Sequence, residues 1–291
     1  MILRTCTKVN VGLNVMRRRP DGYHDIETLF VPYYGWSDVL EVEPAEELSI
    51  EIEREGGVDW NPMDDLTVRA WRLLKGDFPQ LPPVRIGLQK FAPVGAGLGG
   101  GSADAAFMLR ALNEIGSLGL SDAELACYAA RLGSDCAFFI GLTPTKNIPL
   151  HPQGTDGRAP QTPPVADASY YCQPMFATGR GEILEAFDID LSGYEIRVEI
   201  PRGADGEPVA VSTREAYGGI VPRESKNLLP LREALKLPVE QWRGRVVNDF
   251  EATVCPLHPQ IPALIADFYR RGASYAAMSG SGSSVFGLFR K

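Results

Sequence analysis

The stretch PVGAGLGGGSADAA, residues 93–106, sets Gly95, Gly97, Gly99, Gly100 and Gly101 ahead of Ser102 and then turns to small helix-forming residues. Glycine tolerates the backbone shapes that bring N–H groups close to a ligand. A glycine loop running into a helix N-terminus offers those groups, and the positive end of the helix dipole, to a polyphosphate. Three common loops do not fit. Gly95, Gly97 and Gly100 satisfy G-x-G-x-x-G, but a dinucleotide site needs its glycines directly after a strand, and Phe91 to Val94 intervene with a proline. A Walker loop carries a lysine just before its Ser or Thr, where this chain has Gly101. A protein-kinase glycine loop lies between two strands, not before a helix. What remains is a lysine-free phosphate loop, with a flexible surface connection as the alternative. Five glycines packed against a helix start favour the loop.

Working outward, VRIGLQK (84–90) reads as the strand that feeds the loop, and Ser102 to Ile115 as the helix that leaves it. A second helix starts at Ser121, where Ser121 and Glu124 have capping-box spacing, and ends at Gly133. Upstream, the chain alternates from Thr7: Val9, Val11, Leu13 and Val15 share one strand face, and Lys8, Asn10, Gly12 and Asn14 the other. Turn signals in RRRPDGYHD precede strand-like IETLFV, VLEVE and LSIEIE, then the helical DDLTVRAWRLLK. Downstream of CAFFI, six prolines between Pro144 and Pro164 mark an exposed excursion without apolar periodicity. YEIRVEIP then opens a new run of strands and helices that includes IPALIADFYRRG and YAAMSGSGSSVFGLF. The class is α+β in two unequal parts, residues 1–188 and 189–291, with no solenoid repeat.

The chain's 291 residues, 44% of them hydrophobic, are enough for a sizeable core in either one or two domains. A net charge of -8 and the lack of a basic stripe argue against a nucleic-acid partner or an anionic membrane surface. The cysteines at 6, 127, 136, 172 and 255 are odd in number and scattered, which suggests neither a disulfide framework nor a zinc site and fits a reducing cytoplasm. No signal peptide and no membrane span are expected. No carboxylate pair has spacing that singles out a metal ligand.

The pattern P-x-G-x-G-L-G-G-G-S-A-D-A-A resembles the phosphate-binding motif of the GHMP small-molecule kinases, which join a ribosomal-S5-like domain to a ferredoxin-like one. TKVNVGLNVMRRRPDGYHDIETLF, LGSDCAFFI, FATGRGEIL, VSTREAY, NDFE and MSGSGSSVFGLF follow the motif order of one branch. That branch phosphorylates the 2-hydroxyl of a cytidine-diphosphate-linked methylerythritol on the non-mevalonate route to isoprenoid precursors. The resemblance covers nearly the whole chain except residues 143–173.

It implies ATP and Mg²⁺ as cofactors and a monomer or homodimer acting on a small molecule. By motif position, Asp135 is the general base toward the substrate hydroxyl, although an Asp in Gly-Ser-Asp is more often a turn cap. Lys8 orients that hydroxyl and stabilises developing charge, with Asn10 beside it. The phosphates fall to Pro93, Val94, Gly95, Ala96, Gly97, Leu98, Gly99, Gly100, Gly101, Ser102 and Ala103. Tyr23 and Tyr217 would sandwich the cytosine, His24 would bond its edge, and Thr213 would lie near the substrate. Ser279 to Ser284 would close the cleft beside the phosphate loop. NDFE (248–251) receives no catalytic role, Asp249 and Glu251 being structural or solvated.

Two departures stand out. Relatives commonly carry an asparagine near the adenine where this chain has Asp65, which calls for a bridging water, a protonated acid or an altered nucleotide preference. Relatives also cross from a strand at the GSD segment in a few residues, where this chain has the insertion of about 143–173. The alternatives are a GHMP kinase for another small alcohol and a non-catalytic module of the same fold; the presence of both Lys8 and Asp135 counts against the module.

Overall fold

The computed structural model describes residues 1–141, 174–223 and 229–291. The expected insertion at 143–173 lies outside the described residues. In chain order come β1 (Ile2–Arg4), β2 (Thr7–Arg18), β3 (His24–Tyr33), β4 (Val39–Pro44), β5 (Ser49–Arg54), α1 (Leu66–Asp77), β6 (Val84–Lys90), α2 (Gly100–Ile115), α3 (Asp122–Leu132) and α4 (Cys136–Ile140). They are followed by β7 (Met175–Thr178), β8 (Ile183–Ala186), β9 (Tyr194–Glu199), α5 (Thr213–Tyr217), α6 (Leu231–Leu235), α7 (Glu251–Val254), α8 (Gln260–Arg270), β10 (Tyr275–Met278) and β11 (Val285–Arg290).

The strands form three sheets, in the orders β1-β4-β6-β5, β2-β3-β7-β8 and β10-β11-β9. All pairs are antiparallel except β5 with β6. α1 to α4 pack over the first sheet, and α2, whose apolar residues from Ala103 to Leu112 are all but fully buried, is the spine of that layer. A second core joins Val9, Val11 and Leu29 to Trp242, Tyr275 and Phe286, and a third joins Leu13 and Val15 to Val254 and Phe268.

β2 can serve both of the latter cores because its even alternation breaks at Gly12. The β2–β3 register shifts between Val11 and Leu13, and Gly12 takes a left-handed φ of 72°. A Cβ there would stand 2.6 Å from Leu231 Cδ1. Strict alternation from Thr7 does not foresee this bulge; an isolated glycine in a strand is its signal in the sequence.

Local chemistry fixes the helix starts. Ser121 and Glu124 form the expected reciprocal capping box of α3. α2 begins at Gly100, two residues before the expected Ser102, because left-handed Gly99 (φ 72°) lets its carbonyl accept from Ala103 N–H at 2.9 Å. The segment after Gly-Ser-Asp is helical: Cys136–Ile140 form α4, all five residues buried. Apolar periodicity cannot separate so short a buried helix from a strand.

Candidate active site

A cleft of about 680 Å³ opens where β2, the glycine loop, the turn before α4 and the 279–282 turn converge. Of the residues singled out from the sequence, Lys8, Asn10, Asp65, Asp135, Thr213, Tyr217 and the loop from Pro93 to Ser102 line it. Ala103 lies beneath, fully buried in the α2 core. Tyr23, on the adjoining turn, and His24, at the start of β3, stand outside the lining. Tyr23 is 57% exposed, with the Arg180 guanidinium 5.0 Å from its ring centre. His24 stacks on Tyr217 at 4.8 Å between centroids.

Lys8 and Asn10 point the same way along β2, as their two-residue spacing requires. Lys8 is 2% exposed. Its Nζ donates to Gly97 O at 2.8 Å and to Asn10 Oδ1, and lies 3.4 Å from Asp135 Oδ2. Asn10 is held in turn by its own Nδ2 donating to Thr28 Oγ1 at 3.0 Å. Burial pulls the Lys8 ammonium below the usual lysine range, and Asp135 opposes that pull. Asp135 precedes α4 without capping it through its side chain, so the carboxylate is left to face the cleft. Gly181 (φ 119°) packs here, where a Cβ would approach Asp135 Oδ1 to 3.6 Å.

The glycine loop has three left-handed glycines in alternation, Gly95 (φ 70°), Gly97 (φ 76°) and Gly99 (φ 72°). That alternation turns successive N–H groups into a concave anion nest, next to the N-terminus of α2. The loop is strapped from below and from the side. Lys8 N donates to Leu98 O at 2.9 Å, and Ser284 N and Oγ both donate to Ala96 O. A Cβ on Gly97 would stand 2.2 Å from Ser279 O, so the 279–282 turn fits only against glycine.

Behind the loop lies a charge cluster that the sequence did not announce. Lys90, the last residue of β6, places Nζ 2.5 Å from both Asp38 Oδ2 and Asp104 Oδ2. Asp38 Oδ1 accepts from Phe91 N and Ala92 N, and Thr5 Oγ1 donates to Asp104 Oδ1. The entrance and exit of the glycine loop are thereby tied together through one cation. Burial pulls the Lys90 ammonium down, but Asp104 and Asp38 outweigh it and raise the pKa. Burial and the charge of Asp38 push the Asp104 carboxyl upward, against Lys90.

Asp65 caps α1: its Oδ1 accepts from Thr67 N at 2.9 Å and Thr67 Oγ1 at 2.7 Å. A capping role needs an acceptor, which Asp and Asn both supply, so the departure from the relatives' asparagine costs the helix nothing. On the other wall, burial pushes the Tyr217 phenol up to about 12. Burial first, and Arg18 second, hold the His24 imidazole below its ordinary range, which keeps the ring neutral. The cleft also contains Trp60, Lys90, Arg180 and Phe250, which the sequence reading passed over. Arg180 sits inside the quoted FATGRGEIL, and a charged residue between two glycines was the signal available.

A lysine and a carboxylate facing each other across an anion nest define a class: small-molecule kinases that use a glycine loop without a Walker lysine. Comparison with known proteins agrees. Residues 65–141 match the family model of the GHMP kinases N-terminal domain and residues 231–291 that of the GHMP kinases C-terminal domain. The 4-diphosphocytidyl-2-C-methyl-D-erythritol kinase of Bacteroides thetaiotaomicron is 42% identical over 292 residues, covering 99% of this chain and 92% of its own. That of Nitratidesulfovibrio vulgaris is 33% identical, covering 99% and 90%. A crystal structure of 4-(cytidine 5'-diphospho)-2C-methyl-D-erythritol kinase superposes with a TM-score of 0.69 at 30% identity, covering 99% of this chain and 90% of that one. The homoserine kinase of Cytophaga hutchinsonii, at a TM-score of 0.62 and 14% identity, shares the fold. The chain belongs to the 4-diphosphocytidyl-2-C-methyl-D-erythritol kinase family, and its fold is the two-domain α+β fold of the GHMP kinases.

Proposed function

We propose that this protein transfers the γ-phosphoryl group of ATP to the 2-hydroxyl of 4-diphosphocytidyl-2-C-methyl-D-erythritol. The observation that carries the reading is the Lys8–Asp135 pair, 3.4 Å apart in a cleft walled by the anion nest. Phosphoryl transfer asks a protein mainly for alignment and charge stabilisation. Asp135 accepts the hydroxyl proton as the oxygen attacks. Lys8, held by Gly97 O and Asn10, orients that oxygen and offsets the charge spreading over the transferred group. The N–H groups of residues 95–102 hold the departing diphosphate.

Mg²⁺ would be held through Ser102 Oγ and the nucleotide's own phosphates. Ser102 lines the cleft in the first turn of α2, and Mg²⁺ at phosphate sites takes few protein ligands. It would neutralise phosphate charge. The cytidine end of the substrate would lie toward Tyr217, Tyr23 and His24, with Thr213 close by and Arg180 the nearby cation for its diphosphate. The neutral His24 ring has one donor and one acceptor for a pyrimidine edge.

The same reading divides the chain into functional units at about residue 188 and assigns it to the cytoplasm, where the thiols of Cys127, Cys136 and Cys255 stay reduced. No helix among the described residues is long and apolar enough to cross a membrane. The test is ADP release with the cytidine-linked substrate, homoserine and mevalonate side by side. Preference for the first by several orders of magnitude in kcat/KM supports the reading, and preference for another alcohol refutes it.

A further inference from the structure

The segment Asn248–Glu251 (NDFE) is given no chemical step above, yet its three polar side chains turn inward to bond backbone groups. Leu13 N donates to Val247 O at 2.9 Å and Asp249 N to Leu13 O at 2.8 Å, which zips the segment to β2 beyond the Gly12 bulge. Asp249 Oδ2 accepts from Val15 N at 2.8 Å, and its carboxylate pairs with the Arg223 guanidinium. Glu251 Oε1 accepts from Met278 N at 2.9 Å. Asn248, 3% exposed, donates from Nδ2 to Met278 O and to Gly280 O, both at 2.8 Å, and accepts from Phe250 N at 3.0 Å. Every hydrogen-bonding position of its amide that faces the protein is used, and two carbonyls converging on one point call for a group with two N–H donors.

What those carbonyls belong to matters. Between them lies Ser279, whose Oγ accepts from Asn10 N at 3.1 Å and donates to Gly97 O at 3.2 Å. A Cβ on Gly280 would stand 2.8 Å from Gly97 O and 3.2 Å from Asn10 Oδ1. Gly97 O and Asn10 Oδ1 are the two neutral acceptors of the Lys8 ammonium. The path from the Asn248 amide to the Lys8 Nζ is thus an unbroken series of close contacts, and it joins the C-terminal part of the chain to the first long strand.

We propose that Asn248 is a positioning residue for phosphoryl transfer: by clamping the carbonyls of Met278 and Gly280 it fixes Gly97 O and the Asn10 amide, and so aims the Lys8 ammonium. This rests on the kinase reading of the cleft. Misplacing a catalytic group by an ångström costs about 10²-fold in rate. Substrate contacts elsewhere in the cleft are unaffected, so the loss falls on kcat rather than on KM.

The test compares wild type with Asn248→Ala and Asn248→Ser. Both are neutral, so any change in the titration of Lys8 reports movement rather than added charge, and the serine keeps one donor should the alanine fail to fold. Lys8 Nζ is followed by ¹⁵N NMR with labelled lysine, the signal being assigned by its loss in Lys8→Met. A shifted Lys8 titration, with kcat per folded molecule down about 10²-fold and both KM values within a few fold, supports the role. An unshifted titration, or activity that merely tracks the folded fraction in urea unfolding, overturns it. The NMR reading needs no substrate. If the wild type fails to turn over the cytidine-linked alcohol, the substrate assignment falls while the titration still decides the role of Asn248.

Discussion

Replacing Lys90 with methionine would remove the cation that stands between two buried carboxylates. Asp38 and Asp104 have side chains 0% and 2% exposed, and each lies 2.5 Å from Lys90 Nζ. Removing one partner of a buried ion pair costs about 3–5 kcal/mol, because a charge is left uncompensated. Here the cost falls toward the lower end, since Asp38 keeps two backbone donors, Phe91 N and Ala92 N, and Asp104 can take up a proton. That proton gives the prediction a sign. With Lys90 gone, the folded pKa of Asp104, already raised, rises further. A group whose folded pKa lies above its unfolded value favours folding below the unfolded value, and that contribution is lost as pH rises through the folded one. The deficit of the variant should therefore be smallest near pH 5, where Asp104 is protonated with or without Lys90, and grow toward pH 8 by about 1.4 kcal/mol for each pH unit above the wild-type Asp104 pKa. Urea unfolding of wild type and variant at the two pH values measures it, with the ATP KM recorded where both are folded. A deficit under about 1 kcal/mol at the higher pH, or one independent of pH, would refute the reasoning.

Asp135→Asn should lower kcat by about 10²–10⁴-fold, the range for loss of a general base, with the ATP KM little changed in steady-state assays. Gly97→Ala would drive a Cβ to within 2.2 Å of Ser279 O at a φ of 76°, so a loss of more than about 2 kcal/mol in urea unfolding, together with loss of nucleotide binding by calorimetry, is expected. Burial pushes the Glu251 carboxyl up to about 7 from its ordinary 4.5; this group should cost wild type about 3 kcal/mol of stability as pH rises through that interval, and Glu251→Gln should remove that part of the slope while leaving the part due to Asp104. Tyr217→Ala should raise KM for the cytidine-linked substrate about tenfold, by loss of a stacking surface, and leave the ATP KM in place.

What could be read from the sequence followed physical periodicity closely. β6 spans Val84–Lys90, where VRIGLQK predicts a strand, and α3 carries the capping box that the spacing of Ser121 and Glu124 predicts. Lys8 and Asn10 were placed on one strand face by spacing alone, and the structure joins them by a hydrogen bond. The misses have causes of their own. The bulge at Gly12 serves a contact with Leu231, more than two hundred residues away, which no local pattern encodes. Cys136–Ile140 is too short and too uniformly apolar to declare its period. The Lys90 cluster gathers one residue each from a strand, a loop and a helix, and each of them taken alone is an ordinary surface charge. For NDFE the sequence leaves a structural or a solvated role open for Asp249 and Glu251, and the structure decides for the structural one, since both bond backbone N–H groups inside the protein. Asp65 was placed near the nucleotide and does line the cleft, but its hydrogen bonds go to the start of α1.

The measurement that bears most directly on the central claim is ³¹P NMR of a reaction of ATP with 4-diphosphocytidyl-2-C-methyl-D-erythritol, run with wild type and with Asp135→Asn. The account predicts ADP together with one new phosphomonoester signal coupled to the carbon skeleton at the 2-position, formed by wild type and nearly absent with the variant. ADP without a new monoester, a monoester at another hydroxyl, or equal product from both proteins would contradict it.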